Sequence, residues 1–113
     1  MTVGTIAAEN TVVKVDLRRT GTKDDDLACL ASLPNIMHLH LARTEVGDEG
    51  LKHVAKLAKL EELHMGRTQI TDQGLDHLKG LPALEWISIG NTAVTPNRLK
   101  RLQKDLPNLK PVR

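Results

Sequence analysis

Residues 60–83 read LEELHMGRTQITDQGLDHLKGLPA, and the stretch before them, residues 36–59, repeats the same order as IMHLHLARTEVGDEGLKHVAKLAK. In both, apolar residues open a short alternating run, a threonine ends it, a β-branched residue follows two positions later, and an Asp-x-Gly-Leu leads into apolar residues three apart. Extending this register in each direction aligns Val12, Ile36, Leu60 and Leu84, then Val15, Leu39, Leu63 and Ile87, then Thr20, Thr44, Thr68 and Thr92. A repeat of 24 residues is too short to bury its own apolar face, so such units must stack into a solenoid.

Each unit divides into two periodicities. Leu39 and Leu41 alternate with His38 and His40, the period of a half-buried strand. Leu51, Val54 and Leu57, or Leu75, Leu78 and Leu81, fall on one face of a helix of about two turns. Asp24, Asp48 and Asp72 are expected to cap these helices at their N-termini, and Thr95 followed by Pro96 does so in the fourth unit. Pro34, Pro82 and Pro107 stop the helices.

This pattern, L..L.L..T.[IV]TD.GL..L..L, resembles that of bacterial leucine-rich repeat proteins, and it extends more loosely over residues 12–110. The resemblance implies an α/β solenoid of about four repeats, with a parallel sheet on the concave face and short helices on the convex face. Repeats start near residues 12, 36, 60 and 84, and a partial fifth strand begins near Leu109. Residues 1–11 fit no repeat and are expected to form an N-terminal cap or extension, leaving 12–113 as the repeat domain. Thr22 in place of a buried Val or Ile, with Asp26 and Arg98 in place of Gly50 and Gly74, mark the outer repeats as irregular.

Composition bounds the function. The 113 residues include 16 basic and 14 acidic side chains, a net charge of +2 that gives no reason to invoke nucleic acid. Trp86 is the only aromatic and Cys29 the only cysteine, so there is neither a base-stacking platform nor an internal disulfide. The chain as given has no apolar run of membrane-spanning length and no signal-peptide pattern, and reads as soluble, in a compartment it does not identify.

Outward positions of an in-register parallel sheet stack into columns about 4.8 Å apart. One reads Lys14, His38, Glu62, Trp86; the next Asp16, His40, His64, Ser88; a third Arg18, Ala42, Gly66, Gly90; and a fourth, at the strand ends, Arg19, Arg43, Arg67, Asn91. His38, His40, Glu62 and His64 thus make a patch of ligand types that suit a borderline metal, or a pH-sensitive cluster, against the plainer reading of a solvated sheet surface. Arg19, Arg43 and Arg67 could grip carboxylates or phosphates, unless Glu45, Glu62 and Asp16 neutralise them. Trp86 is either an interface anchor or a lid lying over Glu62.

No nucleophile with a neighbouring base and no glycine-rich phosphate loop is present, so an enzyme is not expected, nor is a cofactor. The expected role is a non-enzymatic module that binds an unidentified protein or peptide, acidic in character, through the concave face. This rests on family analogy. The alternatives are a metal or anion site on the His/Glu patch, and a structural segment that self-associates through its open sheet edges or belongs to a longer repeat protein.

Overall fold

The computed structural model describes residues 13–110, so the expected N-terminal cap, residues 1–11, lies outside it. Four three-residue strands, β1 (Lys14–Asp16), β2 (His38–His40), β3 (Glu62–His64) and β4 (Trp86–Ser88), form a parallel sheet in the order β1-β2-β3-β4. The register is one repeat per strand: Val15 pairs with Leu39, Leu39 with Leu63, and Leu63 with Ile87. Consecutive strands are therefore spatial neighbours, and the described residues extend 40 × 27 × 19 Å. No helix among them is long and apolar enough to cross a membrane.

The inward side chains supply one aliphatic ring per layer. Val15, Leu39 and Leu63 are completely buried, as are Leu17, Leu41 and Met65 behind them, and Leu51, Val54 and Leu57 close the second layer from the helical side. Full burial of such a side chain stabilises the fold by about 1.5–3 kcal/mol. Each layer needs its neighbours to reach that burial, which is why no repeat stands alone.

The turn after each strand is built by threonine. Thr20, Thr44, Thr68 and Thr92 donate their hydroxyls to the carbonyls of Leu17, Leu41, Met65 and Ile89 at 2.7, 2.7, 2.7 and 2.6 Å. A hydroxyl directed at the carbonyl three residues back satisfies two polar groups at once as the chain turns into the core. Thr22, the odd residue at the Val46 and Ile70 position, is buried and shares a 2.6 Å hydrogen bond with Thr20.

The returning segments are in large part tighter than α-helix. Asp24–Ser32 is a 3₁₀ helix; Asp48–Gly50 is a 3₁₀ turn continued by α1 (Leu51–Val54); α2 (Asp72–Leu75) is continued by the 3₁₀ turn Asp76–Leu78. Only α3 (Pro96–Asp105), which starts at its proline as expected, is a helix of ten residues. A 24-residue unit leaves few residues between the turn and the next strand, and the tighter helix spans them with more rise per residue.

The aspartates correct the sequence reading. The helix N-caps are Lys23, Gly47 and Thr71, and Asp24, Asp48 and Asp72 are the first helical residues, whose carboxylates reach into the next repeat. Asp24 Oδ1 accepts from the Gly47 amide at 2.6 Å. Asp48 accepts from the Thr71 amide at 2.7 Å and from its hydroxyl at 2.5 Å, and Asp72 does the same to Thr95 at 2.7 and 2.9 Å. Each carboxylate thus staples the turn that opens the following helix. Glycine is required beside it: a Cβ on Gly50 would stand 2.7 Å from Asp24 Oδ1 and 2.9 Å from Val46, and one on Gly74 would collide with Asp48 Oδ1.

At the far end Leu102, Leu106 and Leu109 cover the fourth layer, and the Lys110 amide donates to Glu85 O at 2.8 Å. This bond matches that from Glu85 to Glu61 O, so a fifth rung starts at Lys110; the remainder of the expected strand lies outside the described residues.

Candidate functional site

The sheet register brings the candidate residues of the outer face together. His38 stands beside Glu62, Glu62 beside Trp86, and His40 lies between Asp16 and His64. Glu62 is the hub: its carboxylate contacts His38 Nδ1 at 3.0 Å and His64 Nε2 at 3.3 Å. His40 and His64 stack, ring centroids 4.2 Å apart and planes inclined by 23°. Burial, and secondly the neighbouring His64, push the His40 pKa below its usual value. Alongside, Arg18 clamps Asp16 with Nε at 2.9 Å from Oδ1 and Nη2 at 2.7 Å from Oδ2, which holds the Asp16 pKa at about 2.

This geometry does not support the metal alternative. Among the described residues no group of three or more His, Cys, Asp or Glu side chains is arranged to hold a metal ion. His40 and His64 meet face to face, and the Glu62 carboxylate is taken up by His38 and His64.

Trp86 is not a closed lid over Glu62. It is 43% exposed, with Lys110 Nζ 5.6 Å from the ring centroid. Lys110 comes over the ring because the fourth repeat is one residue longer and the fifth rung starts there.

The arginine column holds the least expected feature. Arg19, Arg43, Arg67 and Asn91 all have positive φ, at 59, 60, 57 and 59°. Left-handed backbone suits Asn and Gly, and costs about 1–2 kcal/mol for a side chain such as arginine. Their amides donate across the sheet, Arg19 to Ala42 O, Arg43 to Gly66 O and Arg67 to Gly90 O, which fixes the turn. The sequence signal for this conformation was Asn91, the residue best suited to it.

Of the three candidate neutralisers, Asp16 and Glu62 are engaged elsewhere, and Glu45 forms no ion pair with these arginines among the described residues. Asp16 is held by Arg18 and Glu62 by its two histidines, and none of Arg19, Arg43 and Arg67 forms a side-chain ion pair or hydrogen bond among the described residues. Between Arg43 and Arg67 lies an open depression of about 340 Å³ with Ala42, Gly66, Gly90, Ser88 and Asn91 along it. Ser88 and Asn91 add uncharged polar groups to this trough.

The family model for the leucine rich repeat matches residues 32–55 and 56–78. No curated protein sequence matches the chain. Among solved structures, internalin C2 from Listeria monocytogenes superposes with a TM-score of 0.73 at 24% identity, over 92% of this chain and 42% of its own. The structure of leiomodin-1 actin-binding site 2 gives 0.70 at 14% identity, over 88% of this chain and 66% of its own. A leucine-rich repeat protein of Leptospira interrogans gives 0.51 at 20% identity, over 74% of this chain and 26% of its own. These likenesses are of fold, and the chain spans less than half the length of internalin C2. Domains of this fold are typically non-enzymatic and commonly bind other proteins. With two consecutive units matched by the family model and the same strand, turn and helix stacked layer on layer, residues 32–78 carry leucine-rich repeats and the described residues have the leucine-rich repeat fold.

Proposed function

We propose that the chain is a non-enzymatic module that binds a protein or peptide through the concave face of its sheet. The observation that carries this reading is Trp86. Every layer uses its aliphatic side chains in the core, yet the single aromatic residue stands on the outer face of β4 and is 43% exposed. Tryptophan on a surface of small and polar neighbours is the commonest kind of anchor at protein interfaces. Ser88, two residues along the same strand, is small, and His38, Glu62 and His64 offer a satisfied polar surround.

The test is capture of partners by the intact chain and by a Trp86→Ala, Arg43→Glu variant whose circular dichroism and melting match the parent. A partner retained by the parent and lost by the variant supports the concave face. Equal partner lists would remove it as the site.

A further inference from the structure

We propose that the strand-end trough between Arg43 and Arg67 is a subsite for carboxylates on an acidic helix of the partner protein. It rests on the concave-face reading and assigns the chemistry of one part of that interface. Three observations meet here. Both guanidinium groups lack a partner among the described residues. Both sit on left-handed backbone, at φ 60 and 57°, where Asn91 occupies the equivalent place in the fourth repeat. Both border an open depression of about 340 Å³ whose other residues are small or uncharged.

A strained backbone conformation persists at a residue where the side chain is wanted for something the backbone is not. Asparagine would satisfy the turn at lower cost, so the arginines are held there for their guanidinium groups. Like charges on adjacent strands, about 4.8 Å apart, are best neutralised by a ligand with anionic groups at the same interval.

The donor set selects carboxylate over phosphate. Phosphate sites draw on backbone amides as well as cations. Here the Arg43 and Arg67 amides are already bonded to Gly66 O and Gly90 O, at 2.9 and 2.8 Å. What remains are two planar forks, each suited to the two oxygens of one carboxylate. The interval then selects the partner's shape. Side chains three or four apart on a helix have Cβ atoms about 5–6 Å apart, close to the strand spacing. Same-face side chains of an extended segment are about 6.7 Å apart. Gly66 and Gly90 bear no side chain to hold such a helix away, and at Gly90 the space where a Cβ would stand is open.

The experiment titrates the chain with an end-blocked, alanine-based helical peptide bearing glutamates four residues apart, followed by NMR of backbone amides and arginine Nε–H groups. The expected result is saturable shifts at Arg43, Arg67, Gly66, Gly90 and Asn91, with affinity falling about tenfold in an Arg43→Asn, Arg67→Asn variant. The same variant should melt higher than the parent by about 2–6 °C, because asparagine relieves part of the left-handed strain at each site and retains the rest. Loss of binding together with a gain in stability separates a ligand-holding role from a structural one. Arg43→Lys with Arg67→Lys, which keeps the charge and removes the forks, should weaken binding by less.

The proposal is overturned if the peptide leaves these signals unmoved, or if a lysine version shifts them equally. It is also overturned if a scrambled peptide without a common acidic face binds as well, or if inorganic phosphate binds more tightly. Partner capture that still depends on Trp86 alongside any of these outcomes would reject this subsite and retain the concave face. Peptide binding without Trp86-dependent capture would do the reverse.

Discussion

Replacing Asp48 by alanine should unfasten the turn that opens α2. The carboxylate accepts the Thr71 amide at 2.7 Å and the Thr71 hydroxyl at 2.5 Å, in a half-buried setting. A hydrogen bond to a charged group contributes about 1.5–3 kcal/mol, and some of the loss is recovered by water reaching the freed groups and by alanine's helix propensity. The net destabilisation should be about 2–4 kcal/mol. Unfolding entropy near 2.1 cal/mol/K per residue over 113 residues makes this a fall in Tm of about 8–16 °C. Asp24→Ala provides a calibration, since Gly47 has no hydroxyl and a single bond of 2.6 Å is lost; it should cost about half as much. The second perturbation is Gly74→Ala, whose new Cβ meets Asp48 Oδ1 and lies 3.0 Å from Leu51 Cδ1. Overpacking of about 1–3 kcal/mol is offset by about 1 kcal/mol of helix propensity. With Asp48 already alanine the collision with its oxygen is gone, so the double variant should be more stable than the sum of the single losses by about 1 kcal/mol or more. Urea unfolding followed by circular dichroism and by Trp86 fluorescence measures the parent and the four variants. Additivity within about 0.5 kcal/mol, or an Asp48→Ala loss below that figure, would refute the reasoning.

Acid should weaken the fold through His40, whose pKa is lowered by burial and by His64, with Asp16, Lys14 and Arg18 also nearby. The unfolded chain takes up a proton near pH 6.5 before the folded chain does, so this contribution is full above that pH, declines as pH falls towards the lowered folded value, and then levels off. Melts at pH 7.5 and 5.5 should show a smaller difference for His40→Gln than for the parent; an unchanged difference would exclude His40 as the source. Thr68→Val removes the buried hydroxyl that bonds Met65 O at 2.7 Å and should cost about 1–2 kcal/mol by denaturant melt, with the same change at the more accessible Thr92 costing less. Equal effects at the two sites would mean that burial does not set the strength of the turn.

The layers were legible in the sequence because each inward position has one requirement, to be aliphatic, and Val15, Leu39, Leu63 and Ile87 meet it at constant intervals. The pairing of His38 with Glu62 and of His40 with His64 followed from that interval alone. The aspartates were misread because a carboxylate beside a helix start suits two roles equally: a cap on its own helix, or a brace on the next. What distinguishes them is tertiary, the approach of the preceding repeat to Gly50 and Gly74. Helix type was hidden for a similar reason, since apolar residues three apart fit both α and 3₁₀ turns. The arginine column could be located, but its backbone conformation could be inferred only from Asn91, and the absence of ion partners only from where Arg18, His38 and His64 had placed their contacts.

The brace has a direction. Asp24 holds residue 47, Asp48 holds residue 71 and Asp72 holds residue 95, always the later repeat. During synthesis a chain lengthens at about 5–20 residues per second, so each carboxylate leaves the ribosome roughly 1–5 s before the amide it will hold. Every new turn therefore meets an acceptor that was made before it. The braces thus run along the solenoid in the order in which the chain is made.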